Sequence, residues 1–332
     1  MALINKVAKP RCGICQNDEG NKTHIAREMM LGFRKEFEYL ECENCGTVQI
    51  KDIPDLSLYY PKDYYSFNSP ECPLANNLKS KLAARLARRY FLQKKNLLGK
   101  YIAETRSWTT EYFPQCLNHQ KLNLNVRSSI LDFGCGNGTL LNILNYFGFR
   151  NLTGVDAFIE KDIFYKNGVR VFKRDLKDIK QTFDLAMLNH SFEHLPNPQE
   201  ILREIHRLLK PDNYALIRMP VVAYAWKKYG VNWVQLDPPR HLFLYTEKTF
   251  CPMAEKEGFE VEDVVYDSTE FQFLGSEQYL QDIPLTDERS PFVNPQSTLF
   301  SEEQIKEWKN HAIELNAKKE GDQACYYLKK VK

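Results

Sequence analysis

From Ser128 onward, short apolar runs alternate with segments of helical periodicity. Residues 129–134 have the pattern of a buried strand, and the apolar spacing that follows predicts a helix at about 138–147. The other elements predicted here are strands at 151–155, 169–172, 183–188, 214–220, 259–268 and 323–328, and helices at about 198–209 and 301–318. Strands that alternate with helices are typical of an α/β fold with a parallel sheet, and the last strand is expected to pair back into it.

The chain before this core carries two further patterns. Residues 78–98 predict one amphipathic helix with apolar positions at Leu78, Leu82, Leu86 and Tyr90. The basic residues assigned to its other side are Lys81, Arg85, Arg88, Arg89 and Lys95. That side is either a solvated face or a site for an anionic partner, namely a nucleotide-linked sugar, a lipid surface or, least favoured, RNA. Residues 58–67 contain five aromatic residues, which either pack on the core or form a wall that faces substrate.

Composition narrows the class of protein. The 332 residues suffice for one large core and a smaller module, and a net charge of +2 implies no polyelectrolyte partner. Residues 1–11 lack the apolar centre of a signal peptide, and no apolar run is long enough to cross a bilayer. Nine cysteines are an odd number, and four of them are spaced like metal ligands, so a reducing, cytoplasmic location is predicted.

The stretch from Ile130 to Leu141 combines a strand, a glycine-rich turn and the start of a helix. Its glycines, Gly134, Gly136 and Gly138, have the spacing GxGxG, whereas a dinucleotide fingerprint would have glycine or alanine at Thr139. With Asp132 before it, the turn resembles the first motif of class I S-adenosylmethionine-dependent methyltransferases. The resemblance covers about residues 128–268. It implies a Rossmann-like, seven-stranded α/β fold and S-adenosylmethionine as cofactor.

Four polar positions complete the predicted cofactor site. Asp132 is expected to pair with the cofactor's ammonium group, directly or through water. Asp156 ends the second strand about 20 residues past the turn, which suits a carboxylate that binds both ribose hydroxyls. The resemblance places Asp175 near the adenine amino group, although this residue could simply cap a turn. Asn189, where the fourth strand ends, is also assigned to the site.

The amino-terminal cysteines form two Cys-x-x-Cys pairs, Cys12 with Cys15 and Cys42 with Cys45. Two such pairs complete a tetrahedral four-thiolate site, so a structural zinc ribbon is predicted. Disulfides, free thiols or another metal remain alternatives. Four thiolates leave no open position, so the zinc is not expected to be catalytic.

Candidate catalytic groups are histidines beyond the ends of the predicted strands. The chain resembles bacterial methyltransferases of surface-polysaccharide and deoxysugar biosynthesis, which combine a four-cysteine module, an aromatic stretch, an "EH" motif and a "PRHL" loop. On that resemblance His241 is the favoured general base and His194 the second candidate, since histidine suits proton transfer near neutral pH. The order His190-x-x-Glu193-His194 is also similar to a divalent-metal set of some O-methyltransferases. His190 stands where a carboxylate is expected, so no catalytic metal is predicted.

These observations predict a methyltransferase in three parts. Residues 1–50 form the zinc ribbon, 51–127 a connector, and 128–332 the S-adenosylmethionine-dependent domain with an insertion at about 270–320. The expected acceptor is a small molecule, a nucleotide-linked sugar or another surface-glycan precursor, methylated at oxygen. Alternatives are a protein, lipid or RNA acceptor, or a non-catalytic scaffold with a partner-binding ribbon. Nucleobase methylation is disfavoured because the sequence after the fourth strand lacks the motif it needs.

Overall fold

The computed structural model describes residues 10–61, 65–68, 72, 74–75, 77–94 and 96–331. Residues 1–9 of the amino terminus, 62–64 of the aromatic stretch and Lys95 of the basic segment lie outside the described residues. The helices are α1 (Tyr65–Asn68), α2 (Leu78–Gln93), α3 (Leu97–Thr105), α4 (Ser107–Tyr112), α5 (Thr139–Tyr146), α6 (Pro198–Leu208), α7 (Tyr224–Tyr229), α8 (Glu247–Lys256), α9 (Phe271–Leu280) and α10 (Glu302–Ala317). The strands are β1 (Lys22–Arg27), β2 (Glu36–Glu41), β3 (Val48–Ile50), β4 (Ser129–Phe133), β5 (Asn151–Val155), β6 (Ile163–Phe164), β7 (Arg170–Phe172), β8 (Phe183–Asn189), β9 (Leu209–Pro220), β10 (Phe243–Leu244), β11 (Phe259–Tyr266) and β12 (Gln323–Lys330).

Eight strands of the described residues form the central sheet, in the order β11-β12-β9-β8-β4-β5-β7-β6. Strands β4, β5, β7, β8 and β9 pair in parallel, while β12 lies antiparallel between β9 and β11. The predicted Rossmann-like architecture is therefore confirmed, including the return of the last strand into the sheet. The edge strand β6 was not predicted, because two residues are too few for a periodic pattern.

Helices cover both faces of this sheet because the strands and helices each bury an apolar side. Strand β4 is buried from Ile130 to Phe133, and α5 buries Leu141, Ile143 and Leu144. Helix α5 follows the glycine turn directly, so the turn lies at the carboxyl end of β4. Ligands of open α/β sheets bind at this edge.

The amino-terminal module shares a sheet with the rest of the chain. Its strands follow the order β1-β2-β3-β10, and the fourth strand comes from the "PRHL" region of the main domain. Phe243 pairs with Gln49, and the Ile50 N–H donates to the Leu242 carbonyl at 3.0 Å. Residue 50 is therefore a boundary along the sequence, but the module on one side of it pairs with a strand of the main domain on the other.

Some predicted elements differ from those in the structure. The single helix expected at 78–98 is two helices, because Lys94 adopts a left-handed conformation and Asn96 caps α3. The strand expected at 214–220 begins at Leu209, which pairs with Phe183 ahead of a register shift. Within the predicted insertion, residues 271–280 form α9, and α10 lies where a helix was expected.

Candidate functional site

Two cavities meet at the carboxyl edge of the central sheet. The glycine cavity has a volume of about 320 Å³ and is lined by Tyr60, Ser66, Phe67, Phe133, Gly134, Cys135, Asp156, Ala157, Phe158, Asn189, His190, Ser191, His194 and Leu195. The histidine cavity, also about 320 Å³, is lined by Met30, His190, His194, Arg218, Val234, Gln235, Asp237, His241, Thr269, Phe271, Gln272, Tyr279, Leu285, Phe292, Asp322 and Gln323. His190 and His194 line both cavities, so ligands in the two would meet at these side chains.

The glycine turn has the backbone conformation that its sequence predicts. Gly134, Gly136 and Gly138 have φ angles of 73°, 55° and 84°, in the left-handed region. At Gly136 a side chain would also collide with the carbonyl oxygen of Ser66 in α1. That carbonyl accepts a hydrogen bond from the Asn137 N–H at 3.0 Å, so α1 lies directly across the turn.

Asp156 lies at the end of β5 and lines the glycine cavity. Its Oδ2 accepts the Gly136 N–H at 2.9 Å, and its Oδ1 accepts the Phe158 N–H at 2.8 Å. Each carboxylate oxygen keeps a further lone pair, so the group can still accept from two hydroxyls. This arrangement fits the role predicted for Asp156.

Asp132 and Asn189 lie side by side at the ends of β4 and β8. Asp132 is 2 % exposed, and burial raises its pKa to about 7, although the Asn189 side chain beside it opposes the shift. Asn189 lines the glycine cavity, whereas Asp132 lies behind its lining residues. An amide at the cavity wall with a buried carboxyl next to it fits the amino-acid end of S-adenosylmethionine.

Asp175 does not line the glycine cavity. It is exposed and caps a short 3-10 turn, where its carboxylate accepts the Lys177 N–H at 3.4 Å. Phe158 lines the cavity, and its ring stacks on Tyr60 with centroids 4.9 Å apart. The contact of Asp175 with adenine stays a prediction, and the aromatic stretch supplies a cavity wall through Tyr60.

The two candidate catalytic histidines are adjacent. The rings of His194 and His241 lie 4.7 Å apart, edge to face. His241 Nδ1 donates to the Gln235 carbonyl at 2.7 Å, and this bond leaves Nε2 as the acceptor nitrogen. Burial, together with the neighbouring His194, lowers the pKa of His241 to about 4, so the imidazole of His241 is neutral at pH 7.

Glu193 lies beneath these histidines and is fully buried. Neither of its carboxylate oxygens has a hydrogen-bond partner among the described residues; Oε1 is 3.8 Å from His241 Nε2 and 3.6 Å from His190 Nδ1. Burial raises the pKa of Glu193, but the three neighbouring histidines outweigh it and hold the pKa at about 2. Glu193, His194 and His241 each offer one ligand atom within 4.8 Å of the others, so this group can also hold a metal ion, which the sequence analysis did not predict.

Residues from distant parts of the chain complete the histidine cavity. Arg218, from β9, donates to His190 Nε2 at 2.8 Å and to Asp267 Oδ2 at 2.6 Å. Met30 comes from the amino-terminal module, and the sequence carries no signal for its place here. Arg218 is a charged residue near the carboxyl end of a predicted strand. That position is the sequence signal by which its place in the cavity could have been predicted.

Two polar residues of α9, Gln272 and Tyr279, line the histidine cavity. Gln272 is 1 % exposed, and its Oε1 has no partner among the residues that the structure describes. Tyr279 lines the same cavity. Glu277 does not; it accepts the Tyr229 hydroxyl at 2.7 Å.

The four amino-terminal cysteines converge. Cys12 and Cys45 have sulfurs 3.8 Å apart, and Cys15 and Cys42 have sulfurs 3.5 Å apart. All four sulfurs lie within 4.8 Å of one another, and all are free thiols. Thiolates at about 2.3 Å from a tetrahedral zinc ion are separated by about 3.8 Å, so the cluster fits zinc.

The cysteine module holds the loop that carries His241. The Tyr39 hydroxyl donates to the His241 carbonyl at 2.9 Å, and the Ile50 N–H donates to the Leu242 carbonyl at 3.0 Å. Arg240, within the same loop, is fully buried and ion-paired with Asp237. The predicted ribbon is thus part of the wall behind the site.

The sheet order, the glycine turn and the acidic end of β5 together define a class I S-adenosylmethionine-dependent methyltransferase. Residues 88–264 match the family described as a methyltransferase domain. Because the match spans more than half of the chain, the protein belongs to this family.

Similar proteins differ in what their names say they methylate. Sterol 4-C-methyltransferase strm-1 of Caenorhabditis elegans is 32 % identical over 170 residues, which cover 44 % of this chain and 51 % of that protein. Ubiquinone biosynthesis O-methyltransferase of Pseudomonas aeruginosa is 26 % identical over 155 residues, which cover 41 % and 66 %. The chain thus spans about half of the length of the Caenorhabditis elegans protein and about two thirds of that of the Pseudomonas aeruginosa protein. The cyclopropane synthase MmaA2 of Mycobacterium tuberculosis, a solved structure, aligns over 63 % of this chain and 80 % of its own, at 16 % identity and a TM-score of 0.39.

Within the described residues, no helix is long and apolar enough to cross a membrane.

Proposed function

We propose that this methyltransferase transfers a methyl group to a hydroxyl oxygen of a sugar-like acceptor, carried by a nucleotide or another surface-glycan precursor. The observation that carries the proposal is the junction of the two cavities at His190 and His194. The glycine cavity would hold S-adenosylmethionine against Gly134, Asp156 and Asn189, which line it. Gly136, Gly138 and Asp132 do not line the cavity and stay predicted cofactor contacts. The histidine cavity would hold the acceptor.

Support for a hydroxylated acceptor comes from individual polar groups in the histidine cavity, whose surface is otherwise more apolar than polar. Gln235, Gln272 and Gln323 line it, and Gln272 Oε1 is an unpaired acceptor for a ligand hydroxyl. A volume of about 320 Å³ is at the lower end of small-molecule sites. It fits a single ring, so a nucleotide would extend outside the cavity.

His241 is the proposed general base. When bound, S-adenosylmethionine supplies a methyl group on a sulfonium, which leaves as a neutral thioether. His241 Nε2 would accept the proton that the acceptor hydroxyl loses, and the carboxylates of Glu193 and Asp237, at 3.8 and 3.6 Å, would stabilise the resulting imidazolium. His194, which donates from Nδ1 to the Arg240 carbonyl at 2.9 Å, would orient the acceptor at the junction.

We further propose that the cysteine cluster binds a structural zinc ion. Support comes from the sulfur separations and from the hydrogen bonds that connect this module to the His241 loop. Zinc would order the module without taking part in methyl transfer, because four thiolates fill its coordination shell.

A methyl-transfer screen tests the acceptor class. Purified protein is incubated with S-adenosylmethionine carrying a labelled methyl group and with nucleotide-linked deoxysugars, a sterol or an intermediate of ubiquinone biosynthesis. We expect methylation of the sugar, at an oxygen, as located by NMR of the product. Methylation of the sterol or the ubiquinone intermediate alone would refute the sugar-like acceptor while leaving the enzyme class intact.

Cofactor affinity should depend on the ionisation of Asp132. Because the pKa of the buried carboxyl is about 7, the free protein holds this group protonated below pH 7, and pairing with an ammonium group must expel the proton. We expect the dissociation constant for S-adenosylmethionine to rise about tenfold for each pH unit below 7, by calorimetry between about pH 5.5 and 7.5. Asp132→Asn should bind weakly at every pH. A wild-type affinity that is constant over this range would remove Asp132 from the cofactor site.

A further inference from the structure

Helix α2 buries a different face from the one its leucine spacing predicts. Leu78 is 80 % exposed and Leu82 is 57 % exposed. The buried residues of α2 are three alanines, one arginine and one aromatic, namely Ala83, Ala84, Ala87, Arg88 and Phe91. Alanines let α2 lie close to its neighbours, and the leucines are left on an outer stripe that continues to Arg85 and Arg89, both exposed.

A cluster of six cations adjoins this stripe. Two adjoining cavities, of about 640 and 580 Å³, share Arg85, Asn145 and Asn167. The cations that line them are Lys81, Arg85, Arg88, Arg89, Arg150 and Lys166. Among the residues that the structure describes, no aspartate or glutamate lines either cavity. Arg88 is 7 % exposed and donates to the Phe147 carbonyl at 2.9 Å, so even the buried member of the cluster has a neutral partner.

Helix α3 carries further exposed apolar side chains. It packs against α2 so closely that a side chain at Gly99 would collide with the Leu86 carbonyl. Leu97, Leu98 and Tyr101 are 83 %, 56 % and 64 % exposed. Five large apolar side chains, each more than half exposed, therefore lie on one helix pair beside the cations, which is unusual for a surface that faces only water.

We propose that the α2–α3 surface, consisting of the exposed apolar residues of both helices and the six cations, docks on an anionic lipid bilayer. The cations match negatively charged headgroups, and the leucines match the acyl region just below them. A free phosphate would leave the leucines without a partner. RNA would require stacking rings, whereas four of the five exposed apolar residues of the two helices are leucines, and the exposed rings near the cations are Tyr101 and Phe164. A second copy, related by a two-fold axis, would bring the cations against themselves.

Co-sedimentation of the intact protein with vesicles tests this surface. The vesicles contain phosphatidylcholine alone or with about one third phosphatidylserine. We expect binding to the anionic vesicles only. The triple variant Lys81→Gln, Arg85→Gln, Arg89→Gln should bind them about a hundredfold more weakly, because each cation near such a surface contributes about fivefold. The variant Leu78→Ser, Leu82→Ser should also bind weakly.

The matched control is Lys306→Gln, Lys309→Gln, Lys318→Gln, which removes the same charge at α10 and should bind like the wild type. Each variant must retain the wild-type melting temperature and S-adenosylmethionine affinity, which excludes misfolding as the cause. Equal binding to both kinds of vesicle, or equal loss in the α10 control, would overturn the proposal. So would full competition by millimolar inorganic phosphate, or a dimer that the leucine variant dissociates.

Discussion

Replacing His241 with glutamine is expected to lower kcat by about a hundredfold to ten-thousandfold, the usual contribution of a general base. Glutamine keeps a polar side chain of similar reach but has no basic nitrogen with which to take the hydroxyl proton. The affinity for S-adenosylmethionine should not change, because His241 lines the histidine cavity and not the glycine cavity. Steady-state kinetics and calorimetry measure the two quantities separately.

His206 is a suitable control for this variant. It lies half-buried on α6, where Nε2 contacts the Val331 carbonyl at 3.1 Å, away from both cavities. His206→Gln should therefore retain wild-type kcat. An unchanged kcat in His241→Gln would exclude His241 as the base and make His194 the candidate.

The alternative role for Glu193, His194 and His241 is metal binding, and chelation distinguishes it from base catalysis. Protein treated with EDTA, with its zinc content measured, should keep its activity if His241 is a base. Activity that is lost at unchanged zinc content, and restored by Mg²⁺ or Mn²⁺, would assign the three side chains to a metal ion.

Replacing Cys42 with serine should abolish zinc binding and lower methyl transfer by at least about tenfold. Structural zinc contributes about 10–16 kcal/mol to the folding of small modules, far more than the few contacts of β1–β3 can replace. Once the module loosens, the Tyr39 bond to the His241 carbonyl and the β3–β10 pairing are lost. Metal analysis and steady-state kinetics measure the two effects.

Cys72 provides the matched cysteine-to-serine control, since it is half-buried and outside the four-sulfur cluster. Cys72→Ser should keep one zinc per chain and wild-type kcat. A Cys42→Ser protein that lacks zinc yet turns over normally would show that the module does not organise the His241 loop.

Sequence and structure agree best where the information is local. The conformation of Gly134, Gly136 and Gly138 follows from their spacing, because strand, turn and helix succeed one another within a dozen residues. Seven of the eight strands of the central sheet follow from their apolar runs, the exception being β6. Asp175 shows where reasoning from local sequence stops. It follows the third predicted strand, but in the structure its side chain does not line the glycine cavity.

By itself, the sequence determined the class I fold, the glycine turn, the acidic end of β5 and the pairing of the cysteines into two knuckles. These depend on neighbours along the chain, whose spacing sets the local backbone. Only the tertiary structure decided that Met30 lines the histidine cavity, that Tyr39 holds the His241 loop, and that α2 exposes its leucines. Such contacts join segments far apart in the chain, and packing, not periodicity, selects which face of a helix is buried.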